Sequence, residues 1–136
     1  MSAASAGAIA FVDTSAYVKL VLGEPEAPAL DRALRAWPAH VGSVLLRVEA
    51  ERACGRHGEE WVARARQGLG GYALLQLDDA VLRAAAALQP ATLRTLDALH
   101  LATALSIGRR LGVLFSYDDR LCDAASAAGV AVERPA

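Results

Sequence analysis

The run Ala8-Ile9-Ala10-Phe11-Val12, cut off sharply by Asp13-Thr14-Ser15, constrains this chain more than any other feature. A short apolar run with no polar face to turn to water reads as a strand covered on both sides. That is the habit of a parallel sheet lying between two layers of helices. The polar triplet after it supplies good helix caps, so the spacing predicts a strand over 8–12 and a helix over 16–22 closed by Gly23. The same alternation continues. Helices are expected over 26–36, 44–54, 59–69, from Asp78 or Asp79 to 88, over 96–107 with Thr95 as cap, and over 118–128 closed by Gly129. Strands are expected over 40–43, 72–77, 113–115 and 130–132. Strands alternating with helices from end to end define an α/β fold: a parallel central sheet of four to five strands with helices on both faces.

Composition agrees with one folded unit. The 136 residues suit a single domain, and 54% hydrophobic against 21% charged residues excludes a disordered chain. Thirty-one alanines favour helix. Residues 1–7, small and polar, are expected to form a flexible tail, leaving 8–136 as the domain. No apolar run approaches the roughly 18 residues of a membrane span, and the start lacks the positive region of a secretory signal. The two cysteines, Cys54 and Cys122, are expected as free thiols of a cytoplasmic protein. Thirteen Arg and one Lys face fifteen acids, for a net charge of −1, so no broad basic field advertises nucleic-acid binding.

The question becomes which carboxylates are more than surface charge. In open α/β sheets, ligands gather outside the carboxyl ends of the strands. Asp13 ends the first strand; it is a helix cap or a site residue, and Thr14 and Ser15 can cap as well. Glu49 lies beside an apolar stripe, with Leu45, Leu46, Arg52 and Ala53 as helical neighbours; its plain reading is a partner of Arg52. Glu51 is expected to pair with Arg47. Asp97 opens a helix that is apolar nearly all round, where the macrodipole favours it, and His100, one turn on, reads as a core or rim histidine rather than a ligand. Asp118 and Asp119 follow a strand, and periodicity leaves open which faces the cleft. Asp78 and Asp79 read as caps. Three or four such acids at one cleft would repel each other unless a hard cation joined them. Mg²⁺ or Mn²⁺ takes oxygen donors and keeps waters that a phosphate can replace, and such ions can activate water against a phosphodiester.

At this point four stretches matter together: Val12-Asp13-Thr14-Ser15-Ala16, Arg47-Val48-Glu49-Ala50-Glu51-Arg52-Ala53, Leu96-Asp97-Ala98-Leu99-His100-Leu101-Ala102-Thr103-Ala104 and Phe115-Ser116-Tyr117-Asp118-Asp119-Arg120-Leu121. In order and spacing, over nearly the whole length, the chain resembles the PIN-domain ribonucleases, most closely the VapC toxins of bacterial toxin–antitoxin pairs. The third stretch is the most specific. The resemblance implies a single PIN-like domain and a metal-dependent endoribonuclease using Mg²⁺ or Mn²⁺ to drive water attack on RNA. It implies Asp13, Glu49, Asp97 and Asp118 as the catalytic, metal-binding acids, with Ser15 and Ser116 as the accompanying hydroxyls; Ser116 stands where the family often has Thr. It also implies a homodimer and an inhibitory VapB-like antitoxin that pushes a segment into the acidic cleft. Arg52 and Arg120, near proposed metal acids, are candidates for holding RNA or, equally, structural ion-pair partners.

Other readings fit less well. A receiver domain wants paired early acids and a late lysine, whereas Asp13 stands alone and the only lysine is Lys19. A haloacid-dehalogenase-type phosphatase needs Asp-x-Asp after the first strand, where this chain has Asp13-Thr14-Ser15. A non-catalytic metal- or partner-binding module, and a PIN nuclease of RNA maturation with no antitoxin, are separated from the toxin by activity and by growth arrest.

Overall fold

A computed structural model describes residues 7–136. Five strands form one sheet in the order β3-β2-β1-β4-β5, every pairing parallel. They are β1 (Ile9–Val12), β2 (Ala39–Ser43), β3 (Ala73–Leu75), β4 (Leu111–Phe115) and β5 (Val132–Glu133). Between them run seven α-helices: α1 (Thr14–Leu22), α2 (Ala27–Arg35), α3 (Leu46–Gly55), α4 (Glu59–Gly68), α5 (Asp79–Ala87), α6 (Thr95–Ser106) and α7 (Asp119–Ala127).

The apolar run that opened the sequence is the central strand, and all four of its residues are buried. Successive side chains point to opposite faces, and two cores result. Ala10 and Val12 pack with Val113 and Phe115 of β4 and with Tyr17, Leu30, Leu46 and Cys54 of helices α1 to α3. Ile9 and Phe11 pack on the other side with Val41, Leu114, Leu101 of α6 and Leu121 of α7. A smaller cluster of Val81, Ala85, Ala98 and Ala102 joins α5 to α6. Helices thus cover both faces, as expected.

Local signals behave as the sequence predicts in most places. Gly23 closes α1 in the left-handed region, φ 66°, with its N–H turned back to Leu20 and Lys19 carbonyls. Asp78 caps α5, its carboxylate accepting from the Val81 N–H. Thr95, however, is not the cap of α6: it is the first helical residue, and Arg94 stands at the cap position with no side-chain cap bond. Glu51 does not pair with Arg47; it takes a two-pronged contact from Arg66 of α4 at 3.0 and 3.1 Å, because α3 and α4 pack side by side. Both cysteines are free and buried. Of the expected 1–7 tail only Gly7 lies within the described residues, its N–H donating to the Arg109 carbonyl at 3.0 Å; residues 1–6 lie outside them. No helix among the described residues is long and apolar enough to cross a membrane.

The functional consequence of this topology lies at the carboxyl edge of the sheet. Adjacent strands β1 and β4 end together, Val12 beside Phe115, and the Asp13 N–H continues the ladder to the Phe115 carbonyl at 3.2 Å. From β1 the chain passes to β2 on one side, while β4 lies on the other. A crevice forms at such a reversal of strand order.

Candidate active site

Asp13 leaves β1 at that crevice and is only 3% exposed. Its Oδ1 accepts from the Ala16 N–H at 2.9 Å, which caps α1, and from the Ser15 hydroxyl at 2.7 Å. Its Oδ2 accepts from the Ser116 hydroxyl at 2.6 Å. Both hydroxyls are themselves oriented from β4's end: the Tyr117 N–H donates to Ser15 Oγ at 2.9 Å and the Asp118 N–H to Ser116 Oγ at 3.1 Å. Two parallel relays therefore run from the backbone after β4, through a serine, to one oxygen each of Asp13. Burial pushes the Asp13 carboxyl above its ordinary value, and the hydrogen bonds from Ser116, Ala16 and Ser15 offset only part of that.

Asp118 is the cap of α7, its Oδ1 accepting from the Leu121 N–H at 2.9 Å. The residue also lines the crevice. The question left open by periodicity is thereby answered: Asp119 points away, 82% exposed, and pairs with Arg134. Asp97 lies in the first turn of α6. One guanidinium joins the two acids, Arg94 Nε donating to Asp97 Oδ2 at 3.2 Å and its terminal nitrogen to Asp118 Oδ2 at 3.1 Å.

Glu49, in the first turn of α3, is satisfied by neighbours far away in sequence rather than by Arg52. Thr14 donates to its Oε1 at 2.7 Å, and His100 Nε2 lies 2.6 Å from the same oxygen. An ionised carboxylate only accepts, so His100 donates from Nε2. Burial works to raise the Glu49 carboxyl, but the His100 and Thr14 bonds prevail and hold it below its ordinary value. His100 is indeed buried, as the sequence implies, yet its edge belongs to the site.

Together these residues line an open hollow of about 460 Å³ that holds Asp13, Glu49, Asp97 and Asp118, with His100 and Lys19 on its wall. Lys19 does not neutralise the acids; its ammonium is 3.2 Å from both Glu24 and Glu26 and 5.0 Å above the Tyr117 ring. Arg52 and Arg120 are both exposed, and neither lines the hollow; Arg120 borders a separate hollow of about 520 Å³ with Pro90, Leu93 and Asp123. Sequence reasoning missed Arg94, Thr14 and His100. A helical register at Arg94 and Asp97 hints at the first, and nothing local points to the pairing of Glu49 with the other two.

The donor set suits a hard divalent cation. Its donors are carboxylate and hydroxyl oxygens, and two of the acids already share a single cationic group. Among the described residues no three His, Cys, Asp or Glu side chains converge tightly on one point. A divalent cation that keeps several of its waters needs only one or two of these carboxylates at a time.

A five-stranded parallel sheet with an acidic crevice at its carboxyl edge defines a recognisable class of protein. The PIN domain family matches residues 10–127, and the chain belongs to that family. Within it, the chain is 47% identical over 125 residues to Ribonuclease VapC46 of Mycobacterium tuberculosis, covering 92% of this chain and 96% of that one. Ribonuclease VapC47 of the same species is 38% identical over 130 residues, with the same coverage. Among solved structures, a toxin–antitoxin complex from Klebsiella pneumoniae superposes with a TM-score of 0.66 at 26% identity, covering 93% of this chain and 98% of that one. The Mycobacterium tuberculosis toxin VapC20, which cleaves the sarcin-ricin loop, shares the fold with a TM-score of 0.71 at 22% identity, covering 93% and 99%.

Proposed function

We propose that this chain is a divalent-metal-dependent endoribonuclease and the toxin of a toxin–antitoxin pair. The observation that carries the reading is the convergence of four carboxylates, delivered by β1, α3, α6 and α7, in one hollow at the carboxyl edge of the sheet. The ribonuclease names of relatives matched over 92% of the chain support the reaction class, and the Klebsiella complex supports an antitoxin as partner.

In the mechanism, Asp13, Asp97 and Asp118, with Glu49 beside them, would hold Mg²⁺ or Mn²⁺. When bound, such an ion makes water a nucleophile at neutral pH and offsets charge on the phosphodiester. The protein does the rest. Ser15 and Ser116 each hold one oxygen of Asp13 in place, and with the Ala16 N–H they use three of the roughly four acceptor sites of an ionised carboxylate, leaving Oδ2 able to accept once more. Thr14 and His100 keep Glu49 ionised and fix its position, so that it could orient a water. Arg52 and Arg120, outside the hollow, are assigned to the RNA strand flanking the cleaved bond. A homodimer in the cytoplasm completes the proposal.

The test uses antitoxin-free protein and RNA with Mg²⁺. Asp13→Asn and Asp97→Asn should each lower cleavage at least about a hundredfold with an unchanged circular dichroism spectrum, since partners one layer out from a metal already matter 10–100-fold. Undiminished cleavage in both variants overturns the assignment. Growth arrest on expression, relieved by a small protein encoded alongside, marks the toxin; cleavage without arrest marks a nuclease of RNA maturation.

A further inference from the structure

Arg94 occupies an odd place for a cation. It sits at the start of α6, where unpaired N–H groups and the helix dipole disfavour positive charge. Its side chain is 63% exposed, so burial does not hold it there. What holds it is the pair of acids: one edge of the guanidinium meets Asp97 at 3.2 Å and another meets Asp118 at 3.1 Å. One acid lies in α6 and the other caps α7, 21 positions apart in sequence, and among the described residues Arg94 is the one side chain in an ion pair with either. Arg94 is thus the one cation bridging two acids of the hollow among the described residues; Lys19 is held by Glu24 and Glu26 instead.

We propose that Arg94 is a built-in counter-ion, its guanidinium holding Asp97 and Asp118 so that a divalent cation binding these acids would have to displace it. The proposal rests on the metal-binding reading above. Arg94 is then a positioning residue. In the metal-free protein it keeps two like charges from driving α6 and α7 apart, and it sets how much metal the site needs. The planar fork matters, because two N–H edges reach two carboxylates at once, which an ammonium cannot reproduce in the same geometry. Its exposure also matters: the guanidinium can swing into water, or toward an RNA phosphate, without opening the core.

The experiment is calorimetric titration of Mg²⁺ into the purified, antitoxin-free protein after chelator treatment, for wild type, Arg94→Gln and Arg94→Lys, together with thermal melts in chelator and in saturating Mg²⁺. Exposed ion pairs are individually modest, so losing two of them should lower the Mg²⁺ Kd of Arg94→Gln about three- to tenfold, with Arg94→Lys in between. High salt should shrink the difference. In chelator Arg94→Gln should melt below wild type, and saturating Mg²⁺ should close that gap. A role confined to stability would lower the melt in both conditions and leave the Kd unchanged. An unchanged or higher Kd for Arg94→Gln overturns the proposal while leaving the metal site standing. If wild type and variant both fail to bind Mg²⁺, the metal-binding reading falls, and this inference with it.

Discussion

Asp13 caps α1 and also presents its carboxylate to the hollow. From sequence these look like alternatives, and the cap preference of Asp makes the plainer one attractive. The structure shows why they coexist: a carboxylate has more acceptor positions than one cap uses. A pH dependence follows from its burial. Because the folded-state pKa of Asp13 is raised above its ordinary value of 3.8, its ionisation opposes folding. Both states are protonated well below 3.8, so the penalty is absent there; it grows as pH rises through the raised value and is fully present above it. Metal-free Asp13→Asn should therefore melt above metal-free wild type at neutral pH, with the gap closing in acid, as differential scanning calorimetry in chelator would register. Glu49 has the opposite sign: its lowered pKa stabilises the fold above its ordinary value of 4.5 and that support is lost as pH falls through the lowered value. The partners responsible, Thr14 and His100, lie 35 and 51 positions away. Helical spacing names neighbours on one helix and is silent about a partner across the sheet edge, which is why Arg52 looked like the natural partner of Glu49.

Strands and helices were largely legible because each has a local cause. Apolar runs bury both faces, capping residues start helices, and glycines such as Gly23 stop them. The boundaries that moved did so for tertiary reasons. β4 begins at Leu111 rather than 113 because Ile9 of the central strand pairs there, across an irregularity in register, and β3 shrinks to three residues at the sheet's edge. Gly112 shows how tightly β4 is hemmed in. A Cβ there would run into the Trp37 ring and the Gly7 carbonyl, and neither backbone nor an indole packed on the core yields cheaply. Gly112→Ala should destabilise the protein by about 1–3 kcal/mol, the usual range for overpacking, seen as a lower urea midpoint with an unchanged m-value. A wild-type midpoint would mean that Trp37 can move aside.

At the scale of the molecule, the net charge of −1 conceals a sorted distribution. Four acids face one hollow, while arginines such as Arg52 and Arg120 lie exposed outside it. Total charge could not reveal that arrangement, but strand ends could, since topology sends whatever follows β1 and β4 to the same crevice. Saturation with Mg²⁺ should stabilise wild type by about 2.7 kcal/mol at a hundred times its Kd, visible as a rise in melting temperature that Asp97→Asn largely loses. A melting temperature indifferent to Mg²⁺ would remove the basis for metal binding here. The serine relays carry one more consequence. They tie Asp13 to the amides of Tyr117 and Asp118, and so join the ends of β1 and β4 at the middle of the sheet. An acid anchored this way should loosen only when the strands that hold it do. On warming, the nuclease should stay fully competent until the whole domain gives way, so that a cell removing this toxin must cap it or degrade it, with no gentler route through partial loosening of its chemistry.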